Sequence, residues 1–98
     1  MNPKQLMKQV QQMQEQMQQR MAELRVEGSA GGGMVKVTMK GNKEVLSVSI
    51  DPSAVDASDV ETLQDLVLAA LRDASRQVDE AVRQKTSAML GGMLPGMR

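Results

Sequence analysis

Three consecutive glycines, Gly31 to Gly33, follow Gly28 after a two-residue gap and lead directly into the alternating run Met34-Val35-Lys36-Val37. Such a cluster can cradle a phosphate, because backbone without Cβ atoms can approach an anion and point its N–H groups at it. A P-loop needs more than glycine. It needs G-x-x-x-x-G followed by Lys and Ser or Thr, which hold the phosphates and Mg²⁺, and a helix must come next. Here Gly33 stands five residues after Gly28, but Met34 and Val35 occupy the Lys and Ser/Thr positions, and the pattern that follows is a strand. The dinucleotide pattern G-x-G-x-x-G fails as well, since Ala30 stands where the second glycine belongs. The glycines are therefore expected to make a flexible loop between strands.

Other chemistry is equally hard to assemble. There is no His, Cys, Tyr, Phe or Trp among the 98 residues. The commonest general base, the thiol nucleophile and the thiolate or imidazole metal site are all missing. Ser29, Ser47, Ser49, Ser53 and Ser58 have turn, strand or cap positions. Asp79 and Glu80 are sequence neighbours on a predicted helix, about 100° apart, and do not converge on a substrate. No D-x-D-x-D loop offers oxygen ligands to calcium. The expectation is a binding protein without catalytic activity, cofactor or small-molecule substrate.

The totals bound what it binds. A chain this short holds one small core, and ten methionines stand in for the absent aromatics. Self-association is the expected remedy for so little buried surface. The formal charge is zero and the pI about 6.2, whereas phosphate binders usually carry a basic excess. The amino-terminal 25 residues hold four cations against two anions, a weak asymmetry. No stretch approaches eighteen apolar residues and the first residues carry no apolar signal region. A cytoplasmic protein with no membrane partner is expected.

The elements that would position a binding surface read clearly. Asn2 and Pro3 suit an N-cap and first helical residue, and Leu6, Val10, Met13, Met17, Met21 and Leu24 form one apolar stripe on a helical period. The other faces are mostly glutamine, either a solvated surface or hydrogen-bonding groups for base edges. Leu24 to Ala30 can continue into a strand. Val35, Val37 and Met39 alternate with Lys36, Thr38 and Lys40, Gly41-Asn42 suggests a two-residue hairpin turn, and Leu46, Val48 and Ile50 form the next alternating set before Asp51-Pro52. A short turn of helix is expected at 53–57. A capping box at Ser58 and Glu61 then predicts a helix with a wide apolar face from Val60 to Val82, ending near Leu90 at Gly91-Gly92. Arg72, Arg76 and Arg83 share one outer stripe with Asp65 and Asp79. The predicted order is α-β-β-β-α in an α+β fold, one domain over 1–90 with a flexible Gly/Pro/Met tail at 91–98. On residues alone, two classes stay open: a nucleic-acid binder using helix faces, and a helical adaptor or chaperone-like protein-interaction module.

The ordered run Gly28-Ser29, Gly31-Gly32-Gly33, Met34-Val35-Lys36-Val37, Gly41, Glu44-Val45 and Val48-Ser49-Ile50-Asp51-Pro52 closely resembles the YbaB/EbfC family of bacterial nucleoid-associated proteins. So do Leu66 to Ala70, Asp73-Ala74, Met89-Leu90-Gly91-Gly92-Met93 and Pro95-Gly96. Each piece is weak alone; in order they span nearly the whole chain. The resemblance implies a cytoplasmic, nucleoid-associated homodimer that binds double-stranded DNA with little sequence preference. It further implies pairing through the sheet regions, with helices that project and clasp the DNA backbone. Carried over by position, the DNA-contact candidates are Lys4, Lys8, Arg20, Arg72, Arg76, Arg83 and Lys85, acting on phosphates. The corresponding dimer-interface candidates are the alternating strand residues Val35, Val37, Met39, Leu46, Val48 and Ile50.

Overall fold

The computed structural model describes residues 2–93, with side-chain surroundings given through Ser87. Helix α1 (Pro3–Glu23) leads into strands β1 (Arg25–Ala30), β2 (Val35–Lys40) and β3 (Val45–Ile50). A 3₁₀ turn (Pro52–Ala54) then precedes helix α2 (Val60–Met93). The strands form an antiparallel sheet in the order β1-β2-β3. The α-β-β-β-α order and the α+β class are those expected from the sequence.

One face of the sheet carries the core. Val35, Val37 and Met39 alternate inward from β2 and meet Ala70, Ala74 and Val78 of α2. Small residues on α2 let the helix lie close to the sheet. Gly28, buried in β1 opposite Val37, permits the closest approach, since a Cβ there would run into backbone atoms of Ala70 and Ala74. The helix covers β1 and β2 but stops short of β3. Val37 pairs with Val48 and Val35 with Ile50, and cross-strand partners share a face. Val48 and Ile50 nonetheless stay 47% and 39% exposed. Leu46 lies on the same side by alternation, and a bulge beside Thr38 and Met39 brings Val45 opposite Met39. Half of the apolar face is thus filled by the chain's own helix and half is bare.

Both helices overrun the sheet. Six residues of strand span about 20 Å, whereas the 34 residues of α2 span ~51 Å. No residue of α1 is buried. The radius of gyration, 19.1 Å, far exceeds the ~13 Å of a compact chain this size. Attachment of α1 is confined to its last turns, where the Gly41 N–H lies within hydrogen-bonding reach of the Met21 and Leu24 carbonyls (3.1 and 2.9 Å). A Cβ at Gly41 would collide with the Met21 carbonyl, so the hairpin tip can seat α1 only with glycine there.

Four local expectations are corrected. The N-cap of α2 is Asp59, whose carboxylate accepts from the Thr62 N–H and hydroxyl (3.2 and 2.6 Å). Ser58 instead donates its N–H and hydroxyl to Asp56 (2.9 and 2.6 Å), closing the preceding turn. An aspartate one residue later offers a charged acceptor to the helix dipole, which a serine does not. The β2–β3 hairpin is a four-residue loop, Gly41 to Glu44, with Lys43 at φ 69° rather than a two-residue turn. The Asn42 side chain accepts from the Glu44 N–H (2.9 Å) and stabilises the longer loop. Next, α2 runs through Gly91 and Gly92 to Met93. Glycine in a helix costs about 1 kcal/mol relative to alanine but breaks no hydrogen bond, so it need not end one. Of the expected tail, residues 94–98 lie outside the described residues. The fourth correction concerns Val35, Val37 and Met39, whose side chains are enclosed beneath α2 of the same chain and present no surface to a partner.

The glycine loop joins β1 to β2 with Gly31, Gly32 and Gly33 all left-handed, at φ 64°, 68° and 92°. A Cβ on Gly32 would touch nothing within 4 Å. Gly32→Ala is therefore a pure backbone test. It should lower stability by about 1–2 kcal/mol, read as a reduced urea midpoint at unchanged slope.

Candidate nucleic-acid interface

The seven cations expected to meet DNA do not form one surface. At 100° per residue, Lys4 and Lys8 fall on the side of α1 opposite the stripe of Leu6, Val10 and Met13. Arg72, Arg76 and Arg83 fall on the outer side of α2, opposite Ala70, Ala74 and Val78. Arg20 and Lys85 turn elsewhere. They line a cleft of about 350 Å³ between the end of α1 and the overhang of α2, whose walls are Met17, Met21, Leu24 and Val82. Two helices distant in sequence thus bring together a pair of cations over an apolar floor, which no local pattern announces.

Ion pairing sorts the cations further. Lys36 pairs with Glu27 (3.9 Å), Lys40 with Glu44 (3.8 Å) and Lys43 with Asp79 (2.9 Å). Arg76 pairs with Asp73. Among the described residues, no ion pair engages Lys4, Lys8, Arg20, Arg72, Arg83 or Lys85. Lys36, Lys40 and Lys43 of the sheet and hairpin are paired in place, and so is Arg76 on α2, whereas Lys4, Lys8, Arg72 and Arg83 on the two helices are not.

Asp73 also guards the sheet. It accepts the Ser29 N–H (3.0 Å), while Gln77 Nε2 lies 2.9 Å from the Glu27 carbonyl and 3.0 Å from the Asp73 carboxylate. These two α2 side chains occupy backbone groups on the outer edge of β1. An edge strand is a template for pairing with another chain, and β1 is thereby blunted. Among the described residues, nothing pairs with the outer edge of β3.

The same contacts set the acid response. The Ser29 N–H holds the Asp73 carboxyl below its ordinary pKa, opposed by desolvation and reinforced by Arg76 and Gln77. Asp51 is lowered by the N–H and hydroxyl of Ser53. Asp56 and Asp59 are lowered chiefly by the hydroxyls of Ser58 and Thr62, with their N–H groups adding to the effect. A pKa depressed by folding contributes stability above the unfolded value and loses it as pH falls through the folded value. With no histidine to titrate, stability should stay flat from pH 7 to 5 and decline below about pH 4. Asp73→Asn should start lower and decline less steeply, measured by urea midpoints across pH 2–7. An equal decline would remove Asp73 from the account.

Comparison with known proteins bears on this arrangement. Residues 1–93 match the family model described as the YbaB/EbfC DNA-binding family. A nucleoid-associated protein of Mycobacterium bovis (strain BCG / Pasteur 1173P2) is 50% identical over 88 residues, 90% of this chain, and the chain spans 66% of that relative's length. One from Koribacter versatilis is 48% identical over 96 residues, covering 97% of this chain and 95% of that protein. Among solved structures, the uncharacterized protein HP0035 of Helicobacter pylori aligns with a TM-score of 0.67 and 26% identity, over 86% of this chain and 98% of that one. Matched from residue 1 to residue 93 and folded in the α-β-β-β-α order, the chain belongs to the YbaB/EbfC DNA-binding family.

Proposed function

We propose that the chain binds duplex DNA as a homodimer, with little sequence preference, and serves in the bacterial nucleoid within the cytoplasm. The observation that carries this reading is the set of cations without carboxylate partners on two helices that overrun their sheet. Phosphate contact falls to Lys4 and Lys8 on α1 and to Arg72 and Arg83 on the outer stripe of α2, with Arg76 of the same stripe available only on leaving Asp73. Such contacts position a protein on DNA without reading bases. The relatives' description as nucleoid-associated proteins supports the same assignment. Binding through charge on phosphates is backbone-led and salt-sensitive.

The homodimer forms through β3. Its outer edge is open where β1's is blocked, and Leu46, Val48 and Ile50 carry the bare half of the apolar face. A second copy of the chain supplies both a strand for the edge and apolar cover for the face. With α1 and α2 projecting from each copy, a dimer offers four helices to the DNA backbone.

The test is a gel shift of random duplex across a salt series, comparing the parent with the double variant Arg72→Glu, Arg83→Glu. Log K should fall linearly with log salt. The slope should shrink by about two in the variant, at roughly 0.9 for each phosphate that is no longer neutralised. Binding absent even at low ionic strength would overturn the reading. It would favour the protein-interaction module instead, which the exposed stripe of Leu6, Val10 and Met13 on α1 supports.

A further inference from the structure

The zero net charge conceals a separation along the chain. Residues 51–71 carry five carboxylates, Asp51, Asp56, Asp59, Glu61 and Asp65, and no Lys or Arg, so every cation lies outside this segment. The loop at its start is shaped as well as charged. Asp51, Asp56 and Asp59 each bond the serine or threonine that follows, which fixes the chain in successive turns. The loop also presents Val55 and Val60, 57% and 51% exposed. Rigid turns, surplus negative charge and two outward valines make a ready-formed ligand, since its ordering cost is met within the chain.

The cleft between α1 and α2 is its complement. Met17, Met21, Leu24 and Val82 form the floor, Arg20 and Lys85 stand over it, and among the described residues no carboxylate lines it. The loop cannot reach the cleft of its own chain. Val60 and Val82 are 22 residues apart on one continuous helix, or about 33 Å at 1.5 Å per residue. Only another molecule can bring the two together.

We propose that the α1/α2 cleft is the docking site for the acidic loop 51–61 of a second copy of the chain. The proposal rests on the homodimer assigned to β3 and deepens it by naming a second contact. The two contacts are continuous. Antiparallel pairing of two β3 edges sets the Ile50 end of each strand beside the Val45 end of the other. The Val45 end joins the hairpin whose Gly41 N–H anchors Met21 and Leu24 at the base of the cleft. The loop that leaves Ile50 therefore departs from its strand on the side where the other copy's cleft lies. A valine enters the apolar floor while the carboxylates meet Arg20 and Lys85. This occupies the two cations that face away from the outer stripe of α2 and leaves that stripe to DNA.

The chain has no cysteine, so single thiols can be placed without background. Val55→Cys and Thr86→Cys chains are mixed in equal amounts under glutathione disulfide, and the cross-linked species are resolved by mass. The mixed Val55–Thr86 disulfide should prevail over both self-linked species. Adding Arg20→Glu with Lys85→Glu to the Thr86→Cys chain should abolish that preference. A random mixture of the three species overturns the proposal, as does a mixed disulfide indifferent to the charge reversal. Sedimentation of the parent chain separates the two readings. A dimer mass without the mixed disulfide removes the cleft contact and keeps the homodimer, whereas a monomer mass removes both.

Discussion

The Gly28→Val variant is expected to lose its cooperative thermal transition. A Cβ at Gly28 would lie 2.5 Å from the Ala70 carbonyl oxygen and 2.7 Å from the Ala74 Cα, closer still to the Ala74 amide nitrogen. All three are backbone atoms, so no side chain can swing aside. Relief requires α2 to lift from β1, and that movement uncovers Val35, Val37, Ala70, Ala74 and Val78 together. It also strains the bonds from Asp73 and Gln77 to the edge of β1. Overpacking typically costs 1–3 kcal/mol when side chains can adjust. Against rigid backbone the loss should exceed about 3 kcal/mol, a large share of the 5–15 kcal/mol that holds a domain folded. Circular dichroism melting decides the matter: a midpoint near the parent's would mean the helix has slack that the packing does not reveal. Gly32→Ala is the matched control, with a backbone cost and no collision.

The second large effect is Val37→Asp. Val37 is fully buried in the central strand, between Gly28 and Val48 and beneath α2. A carboxylate there meets no donor or cation, and burial without a partner costs several kcal/mol even if it takes up a proton. The chain should unfold. Val48→Asp makes the same chemical change one strand away, at a side chain 47% exposed in the single chain. That variant should keep a cooperative transition and sediment as a monomer. An unfolded Val48→Asp variant, or a folded Val37→Asp variant, would mean that the helix covers the other half of the sheet.

The contrast between Val37 and Val48 marks what can be read from the sequence. Alternation places both on one apolar face, and the structure agrees about the face. It groups them as one interface because periodicity along a strand carries no information about how far a helix extends across the sheet. That extent follows from the small residues Ala70 and Ala74 and from Gly28, which the sequence presents as part of a glycine cluster. The helices themselves are legible because their stripes are long. Their exact ends are not, since Asp59 and Ser58 are both good caps and only three-dimensional geometry chooses between them. The cations divide in the same way. Arg72, Arg76 and Arg83 are legible as one stripe, being on one helix. The meeting of Arg20 with Lys85 across the cleft depends on tertiary placement and leaves no trace in local spacing.

The thin attachment of α1 bears on how the chain opens and closes in time. A helix with no buried residue, held at its last turns by the hairpin tip, draws little of its free energy from the core. In proteins most helical stability comes from packing of an apolar face, which α1 lacks over most of its length. Amide protons near Asn2 should therefore exchange with solvent by fraying, far faster than those of β2, which wait for global unfolding. In a single chain, α1 and the sheet-bound part of α2 should therefore exchange as separate cooperative units. A ligand that rigidifies α1 would register as slowed exchange in α1 while the protection of β2 stays the same.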